Sequence, residues 1–450
     1  MTESEANSEP TAWARDAVFY GIDIPRFLDT DGDGRGDLPG VTAKLDYLAE
    51  LGVTCLWLLP FFPSDRGDNG YAITDYIGVD ARFGTIDDFR TLAAQAHRRG
   101  IRLMLDLVVH HTSSKHPWFQ AAESDENSRY RDYYVWSHEK PQDDEWQSVF
   151  PHEEDGIWDY SERAGEYYRH LFYSFQPDLR LDNDEVWDNV KRIMDFWISV
   201  GADAFRIDAA TLMFAEDRTD HSRFDQHFDK LRHYLKQRQA PVALLGEADV
   251  PPSEVSRYFE AGRFDLLYNF VANNAIYLTL ARESVEPLAK ALSGLRETAA
   301  HGAMLNFMRN LDELDLGQLS DDERREVFDA FAPEENMQIY GRGLRRGWAP
   351  MMRNDAQLQM TMSLLFALPG VPLLMYGQEI GIGDDLTLEG RQSVRLPMQW
   401  NSDACGGFTS ATDSQLGRAS HKGGDRGYAT VNVERQSTED TSLLALVRAL

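Results

Sequence analysis

Cysteine is nearly missing from this chain: two in 450 residues, Cys55 and Cys405. That excludes a disulfide framework and a thiolate zinc site, which need several cysteines at set spacings. Cys55 lies inside the apolar run Val53-Thr-Cys-Leu-Trp-Leu-Leu59 and reads as a small buried hydrophobe. Basic charge is also short. Lys and Arg number 45 against 74 Asp and Glu, a formal charge of -29. Phosphate backbones and anionic membranes would be repelled, so neither a nucleic-acid nor a membrane partner is expected. A well-solvated surface accounts for the acidity, and a neutral substrate is compatible with it. No apolar run reaches the ~20 residues that a bilayer-spanning helix needs. The N-terminus, Met1-Thr-Glu-Ser-Glu-Ala-Asn7, has no basic segment and no apolar segment of a signal peptide, so the expected location is the cytoplasm.

What the chain has is alternation. Short apolar runs predict strands near 17–22, 53–59, 101–109, 203–207, 242–246, 265–270, 304–308 and 372–376. Helical patterns lie between them, among them Leu38–Leu51, Ile86–Arg99 and Val186–Val200. Eight strand–helix units in one α/β chain predict a (β/α)8 barrel. A doubly wound sheet would carry a Gly-rich phosphate turn after its first strand. Here the first strand runs instead into Asp29-Thr-Asp-Gly-Asp-Gly-Arg-Gly-Asp37.

The spacing is uneven. The long gap between the third and fourth strands holds a stretch, 113–180, rich in Trp, Tyr, His and acids. It reads as a small inserted domain over the barrel mouth, leaving 1–112 and 181–450 as barrel. A second insertion, 317–352, follows Asp312; Ser320 with Glu323 three residues later opens it like a capped helix. The chain ends in the amphipathic Thr441–Leu450, read as the last barrel helix. A C-terminal β domain is expected to be absent from this chain.

Three acids each close an apolar run: Asp208 after Phe205-Arg-Ile, Glu247 after Val242-Ala-Leu-Leu-Gly246, and Asp312 in Arg309-Asn-Leu-Asp312. An acid that ends a strand sits at the mouth of a parallel barrel, where such barrels place their active sites. One such acid alone reads as a capping or solvated residue. Three in this setting suit glycoside chemistry, in which one carboxylate attacks and one carboxylic acid donates a proton. The many aromatics (Trp 10, Tyr 18, Phe 23) suit stacking on sugars, although most belong to the core.

On these residues the chain resembles the α-amylase family of retaining α-glycoside enzymes, from about Asp16 to Leu450. Asp106-Leu-Val-Val-His-His111 looks like the family's first motif, and Gln176-Pro-Asp-Leu179 like the one that closes its inserted domain. Phe205-Arg-Ile-Asp208 matches the nucleophile motif, Gly246-Glu247 the acid/base motif, and Asn310-Leu-Asp312 the third-acid motif. Within the family the likeness is to the trehalose synthase and oligo-1,6-glucosidase branch. It is carried by Gly52–Ser64, by Asp321–Pro350 and by Arg395-Leu-Pro-Met-Gln-Trp400.

The resemblance implies roles. Asp208 would be the nucleophile, held ionised by Arg206; Glu247 would be the general acid and then the base, with a raised pKa; Asp312 would bind sugar hydroxyls. His111 and Arg395 would also contact the sugar, and Tyr71 would lie under its ring or simply belong to the core. The loop carrying Asp29, Asp31, Asp33, Arg35 and Asp37 resembles the branch's calcium loop, which implies a structural Ca2+. The implied substrate is a small oligosaccharide, and the sequence leaves a homo-oligomer open. The implied activity is transglycosylation or isomerisation of short α-glucosides. The alternatives are an exo-acting α-glucosidase-type hydrolase of altered specificity and a catalytically weak carbohydrate-binding homologue.

Four positions depart from the family's usual pattern. Leu311 stands where a histidine is usual, Ala72 where an aspartate is usual, His110 for asparagine, and Arg180 for asparagine. They predict a sugar held differently beside Asp208, with Arg395 free to bind an acidic or modified group.

Overall fold

A computed structural model describes residues 11–65, 67–142, 148–150, 153–214, 221–238, 241–295, 302–411 and 426–450. Residues 1–7, where no signal peptide is expected, lie outside the described residues.

Eight parallel strands close into a barrel: Phe19–Ile22, Cys55–Leu58, Arg102–Leu107, Ala204–Ile207, Ala243–Gly246, Leu266–Tyr268, Ala303–Phe307 and Val371–Met375. Each pairs with the next, and closure is made by the first strand, whose Phe19 registers with Cys55 on one side and Leu373 on the other. All eight fall where the apolar runs predict them. The strands are buried on both faces, which is why they read as continuous apolar runs and not as alternation.

The helix Asp184–Val200 illustrates the outer layer. Asn183 caps it by accepting from the Glu185 N–H, and Val186, Val190, Ile193, Met194 and Trp197 form its buried stripe. Gly201 ends it at φ 120°, and a Cβ there would lie 2.6 Å from the Ala93 Cβ, so only glycine lets the two helices approach. The single helix expected over Leu38–Leu51 is two, Leu38–Ala43 and Leu45–Glu50. Gly40 pins the first against the chain: a Cβ there would meet the Leu28 carbonyl oxygen at 2.1 Å. The break falls at Lys44, whose ammonium sits 4.0 Å from the centre of the Trp400 ring.

Between the third and fourth barrel strands stands a three-stranded antiparallel sheet, Trp136–Ser137, Glu166–Arg169 and Trp158–Ser161, with a small apolar cluster of its own around Phe150, Trp158 and Phe172. After the seventh strand comes a second excursion. It contains the helix Asp321–Phe331, opened by a Ser320–Glu323 capping box, and a sheet of Leu314–Asp315, Gly343–Leu344 and Gln338–Ile339. The helix Leu443–Ala449 closes the described chain. No helix among the described residues is long and apolar enough to cross a membrane.

Candidate active site

The strands deliver their polar ends to one point. Asp106 lies on the third strand and Arg206 on the fourth; Asp208 and Glu247 follow the fourth and fifth, and Asp312 follows the seventh. Arg206 is the hub, with 2 % of its surface exposed. Its Nη1 donates to Asp208 Oδ1 at 2.5 Å, to Asp106 Oδ1 at 2.6 Å and to Tyr71 Oη at 3.3 Å. Its Nη2 lies 2.7 Å from Glu247 Oε1. Trp57 Nε1 donates to the second Asp106 oxygen at 3.0 Å. One guanidinium thus holds three carboxylates, and buried charge of this kind survives only when paired.

Asp208 and Glu247 are also tied through the backbone. Ala209 takes a left-handed conformation, φ 47°, and donates its N–H to Glu247 Oε2 at 2.9 Å. A left-handed alanine is strained, and such strain collects at functional turns.

Burial pushes the Asp208 carboxyl well up; Arg206 opposes this, while Glu247, Asp106 and Asp312 add to it. The sequence reading has Arg206 keeping Asp208 ionised. The contact is present, but burial outweighs it. Asp106 is likewise raised to about 6, mainly by burial. Asp208 and Asp106 share one guanidinium, and each adds negative charge to the other's surroundings. Asp312 moves the other way: burial raises it, but Arg391, then Arg395 and Arg206, together pull it below the usual carboxylate range.

His111 is buried against Phe172, ring centroids 4.8 Å apart, and neither of its ring nitrogens makes a hydrogen bond within the protein. Burial, aided by His110, takes its pKa down to about 3. It is a neutral imidazole with one donor and one acceptor to offer.

Asp68, Tyr71, His111, Asp208, Glu247, Asp312 and Arg391 line a cavity of about 490 Å3. That lies within the usual ~300–1,000 Å3 of small-molecule sites. Arg395 does not line it. Its side chain is buried behind Asp312, with Nη2 at 3.3 Å from Asp312 Oδ1, Nη1 at 3.6 Å from Asp23 Oδ2, and Nε donating to the Leu311 carbonyl at 3.1 Å. The expectation of a free Arg395 fails, because Asp23 and Asp312 already hold it.

Arg391 faces the cavity in its place, with contacts to Asp312 (3.1 Å) and Glu313 (2.7 Å) and, more distantly, to Asp68 (3.9 Å). Asp68 in turn accepts from Gln176 Nε2 at 3.1 Å. A carboxylate therefore stands at this end of the cavity despite Ala72, four residues before the position expected to supply it. Leu311 lies outside the cavity wall that its neighbours Asn310 and Asp312 form. Asp68 and Arg391 were missed by sequence reasoning because they lie in the 3-10 turns Asp68–Gly70 and Gly390–Val394, too short to show periodicity. Asp249 was missed too; it follows Glu247 by two residues, just beyond the end of the fifth strand at Gly246. Burial, with Asp315 adding, raises Asp249 to about 7, and Gln318 Nε2 donates to it at 2.6 Å.

Seven carboxylates and three arginines line the cavity. That imbalance disfavours the acidic sugar expected from the departures.

The two excursions meet above the site. Phe150 packs on Tyr340, ring centroids 5.3 Å apart, and Arg342 Nη2 donates to the Val149 carbonyl at 3.1 Å while its Nε binds Asp315 at 2.7 Å.

In the acidic loop, the carboxylates of Asp29, Asp31 and Asp37 offer oxygens within 4.8 Å of one another. Hard oxygen ligands converging in this way fit a divalent cation. Asp33 is outside the group: it accepts from the Arg35 N–H at 2.8 Å, so the expected set of Asp29, Asp31, Asp33, Arg35 and Asp37 narrows to three carboxylates.

Comparison with known proteins agrees with this geometry. The catalytic-domain model of the α-amylase family matches residues 24–323 and 344–450, and the unmatched 324–343 lies inside the second excursion. "Trehalose synthase/amylase TreS" of Mycolicibacterium smegmatis is 38% identical, covering 97% of this chain and 75% of that protein. Trehalose synthase of Pimelobacter sp. is 36% identical over 100% of this chain and 81% of its own. The crystal structure of α-amylase from H. orenii superposes with a TM-score of 0.77 at 29% identity, covering 97% of this chain and 81% of that one. The chain belongs to the α-amylase family, and within it is a trehalose synthase-like enzyme.

Proposed function

We propose that this protein acts on short α-glucosides by double displacement with retention, and that it transfers or isomerises more than it hydrolyses. The observation that carries this is the pairing of Asp208 and Glu247 on the two terminal nitrogens of one guanidinium. That pairing keeps the carboxyls close, as retaining enzymes need (about 5–5.5 Å) and inverting ones, which fit a water between them, do not.

In the first step the Asp208 carboxylate attacks the anomeric carbon. The glycosidic bond breaks as Glu247 gives its proton to the departing oxygen. In the second step Glu247 takes a proton from the incoming hydroxyl. That oxygen bonds the anomeric carbon and Asp208 leaves as carboxylate. Asp312, kept ionised by Arg391 and Arg395, binds sugar hydroxyls and stabilises positive charge at the ring. Neutral His111 donates to or accepts from the same sugar. Tyr71, fixed on Arg206, forms part of the floor.

Isomerisation requires that the freed sugar turn within the cavity and attack before water does. The contacts of Phe150 with Tyr340 and of Arg342 with Val149 support this reading, since they join the two excursions at the cavity, where a closed site would keep water out. We further propose that Asp29, Asp31 and Asp37 hold a structural Ca2+ away from the chemistry.

The test is incubation with maltose, trehalose, sucrose and isomaltose, products resolved by chromatography, with Asp208→Asn alongside. Isomers that outnumber free glucose and vanish in the variant support the proposal. Glucose as the only product makes the enzyme a hydrolase; binding without turnover makes it a carbohydrate-binding homologue.

A further inference from the structure

A second cavity, of about 270 Å3, lies on the far side of the loop that carries Asp68. The wall is built from Asn69 and Gly70, which with Asp68 are three consecutive residues in the left-handed region, φ 46°, 53° and 104°. Such a run is costly and persists only where the surroundings impose it.

Three arginines face this space in a chain of net charge -29. Arg82 is committed to Asp80, its Nε donating at 2.8 Å. Arg26 and Arg35 are not: among the described residues their side chains make no hydrogen bond or ion pair. Asp33 offsets part of the Arg35 charge and Asp23 in the wall is held by Arg395, so Arg26 is the guanidinium that gives this recess its positive field, with Arg35 beside it. Planar forks of this kind suit a phosphate group. The remaining polar wall, Ser64, Asn69 and Gln392, offers hydroxyl and amide groups. The space is several times the ~30 Å3 that one water occupies in the liquid, too large for a bare ion.

We propose that this cavity binds the phosphate monoester of a sugar or small polyol, with the phosphate on Arg26 and Arg35 and the hydroxyls on Ser64, Asn69 and Gln392. The site touches the catalytic cavity at two places. Asn69 is hydrogen-bonded to Gln392, and their chain neighbours Asp68 and Arg391 line the catalytic side. Asp23, also in the second cavity, reaches Arg395, which holds Asp312. Occupancy therefore alters how firmly Asp312 is held, and the Michaelis constant shifts. This kinetic effect rests on the catalytic reading of Asp312; the binding does not.

Isothermal titration of the intact protein at fixed ionic strength tests the binding, with glucose 6-phosphate, inorganic phosphate and glucose as probes. The ester binds more tightly than phosphate, and glucose fails to displace it. Arg26→Gln weakens the ester about tenfold, the scale of one lost charge-assisted hydrogen bond, and Arg26→Lys restores part of it. Asp208→Asn, which disables the proposed reaction, binds the ester as the native protein does, so a wrong reaction leaves this result intact. No binding of either phosphate compound overturns the proposal. So does undiminished binding by Arg26→Gln, or displacement by maltose. Phosphate bound as tightly as the ester overturns the assignment to an ester.

Discussion

The N–H of Ala209 points at Glu247 Oε2 from 2.9 Å, and Ala209 holds a left-handed φ of 47° to do so. Asp208 is its immediate neighbour, so one strained peptide sets the spacing of both reacting carboxyls. A β-branched side chain tolerates that conformation far less well than alanine. Ala209→Val is expected to lower kcat at least tenfold with little change in the far-ultraviolet circular dichroism. Ala209→Gly, which removes the strain, keeps activity within a few-fold. Steady-state kinetics on the best substrate of the panel checks both.

Arg206, itself buried, compensates three carboxylates. Removing it leaves them buried and unpaired, a change that costs about 3–5 kcal/mol when a buried pair is broken. Arg206→Gln should lose that much in urea unfolding, as well as most turnover. Asp106→Asn, which relieves one of the three charges, should recover part of the stability in the double variant and none of the turnover lost with Arg206.

Asp249 gives a pH signature. Its folded pKa of about 7 exceeds the unfolded carboxylate value, mainly through burial. The folded state therefore binds the proton more tightly, and the stability this contributes is present at low pH and lost as pH rises through about 4 to 7. Asp249→Asn abolishes that loss. Melting temperatures of the two proteins taken across this window should diverge in slope, the native protein falling relative to the variant.

Much of this was legible in the sequence. Eight apolar runs gave eight strands because strands buried on both faces leave an unbroken apolar trace. The three acids stood out because each ends such a run. Asp68 and Arg391 were illegible because each lies in a 3-10 turn of a few residues whose course is set by left-handed residues and by packing against distant segments. Arg395 was misjudged for a related reason: Asp23, which holds it, is 372 positions away in the chain and close only in the fold. The break at Lys44 was not legible because periodicity reports the apolar face and not tight contacts such as that of Gly40 with Leu28.

Arg342 links the second excursion to the first through the Val149 carbonyl. Arg342→Ala should loosen the cover and admit water, raising the share of free glucose over transfer product severalfold while total turnover changes less. Quantifying both products from one reaction separates partition from rate.

Chelation probes the acidic loop. If Asp29, Asp31 and Asp37 hold Ca2+, removing divalent ions lowers the melting temperature by a few degrees and added Ca2+ restores it. Asp31→Ala should lose this response.

The central claim is a covalent glycosyl intermediate on Asp208. A 5-fluoro-α-glucosyl fluoride slows the second step more than the first, so the intermediate should accumulate. Intact-mass measurement is expected to show one added fluoroglucosyl unit, and peptide mapping to place it on Asp208, with Asp208→Asn unlabelled. Turnover of the reagent with no adduct, or an adduct on Glu247 or Asp312, would contradict the account.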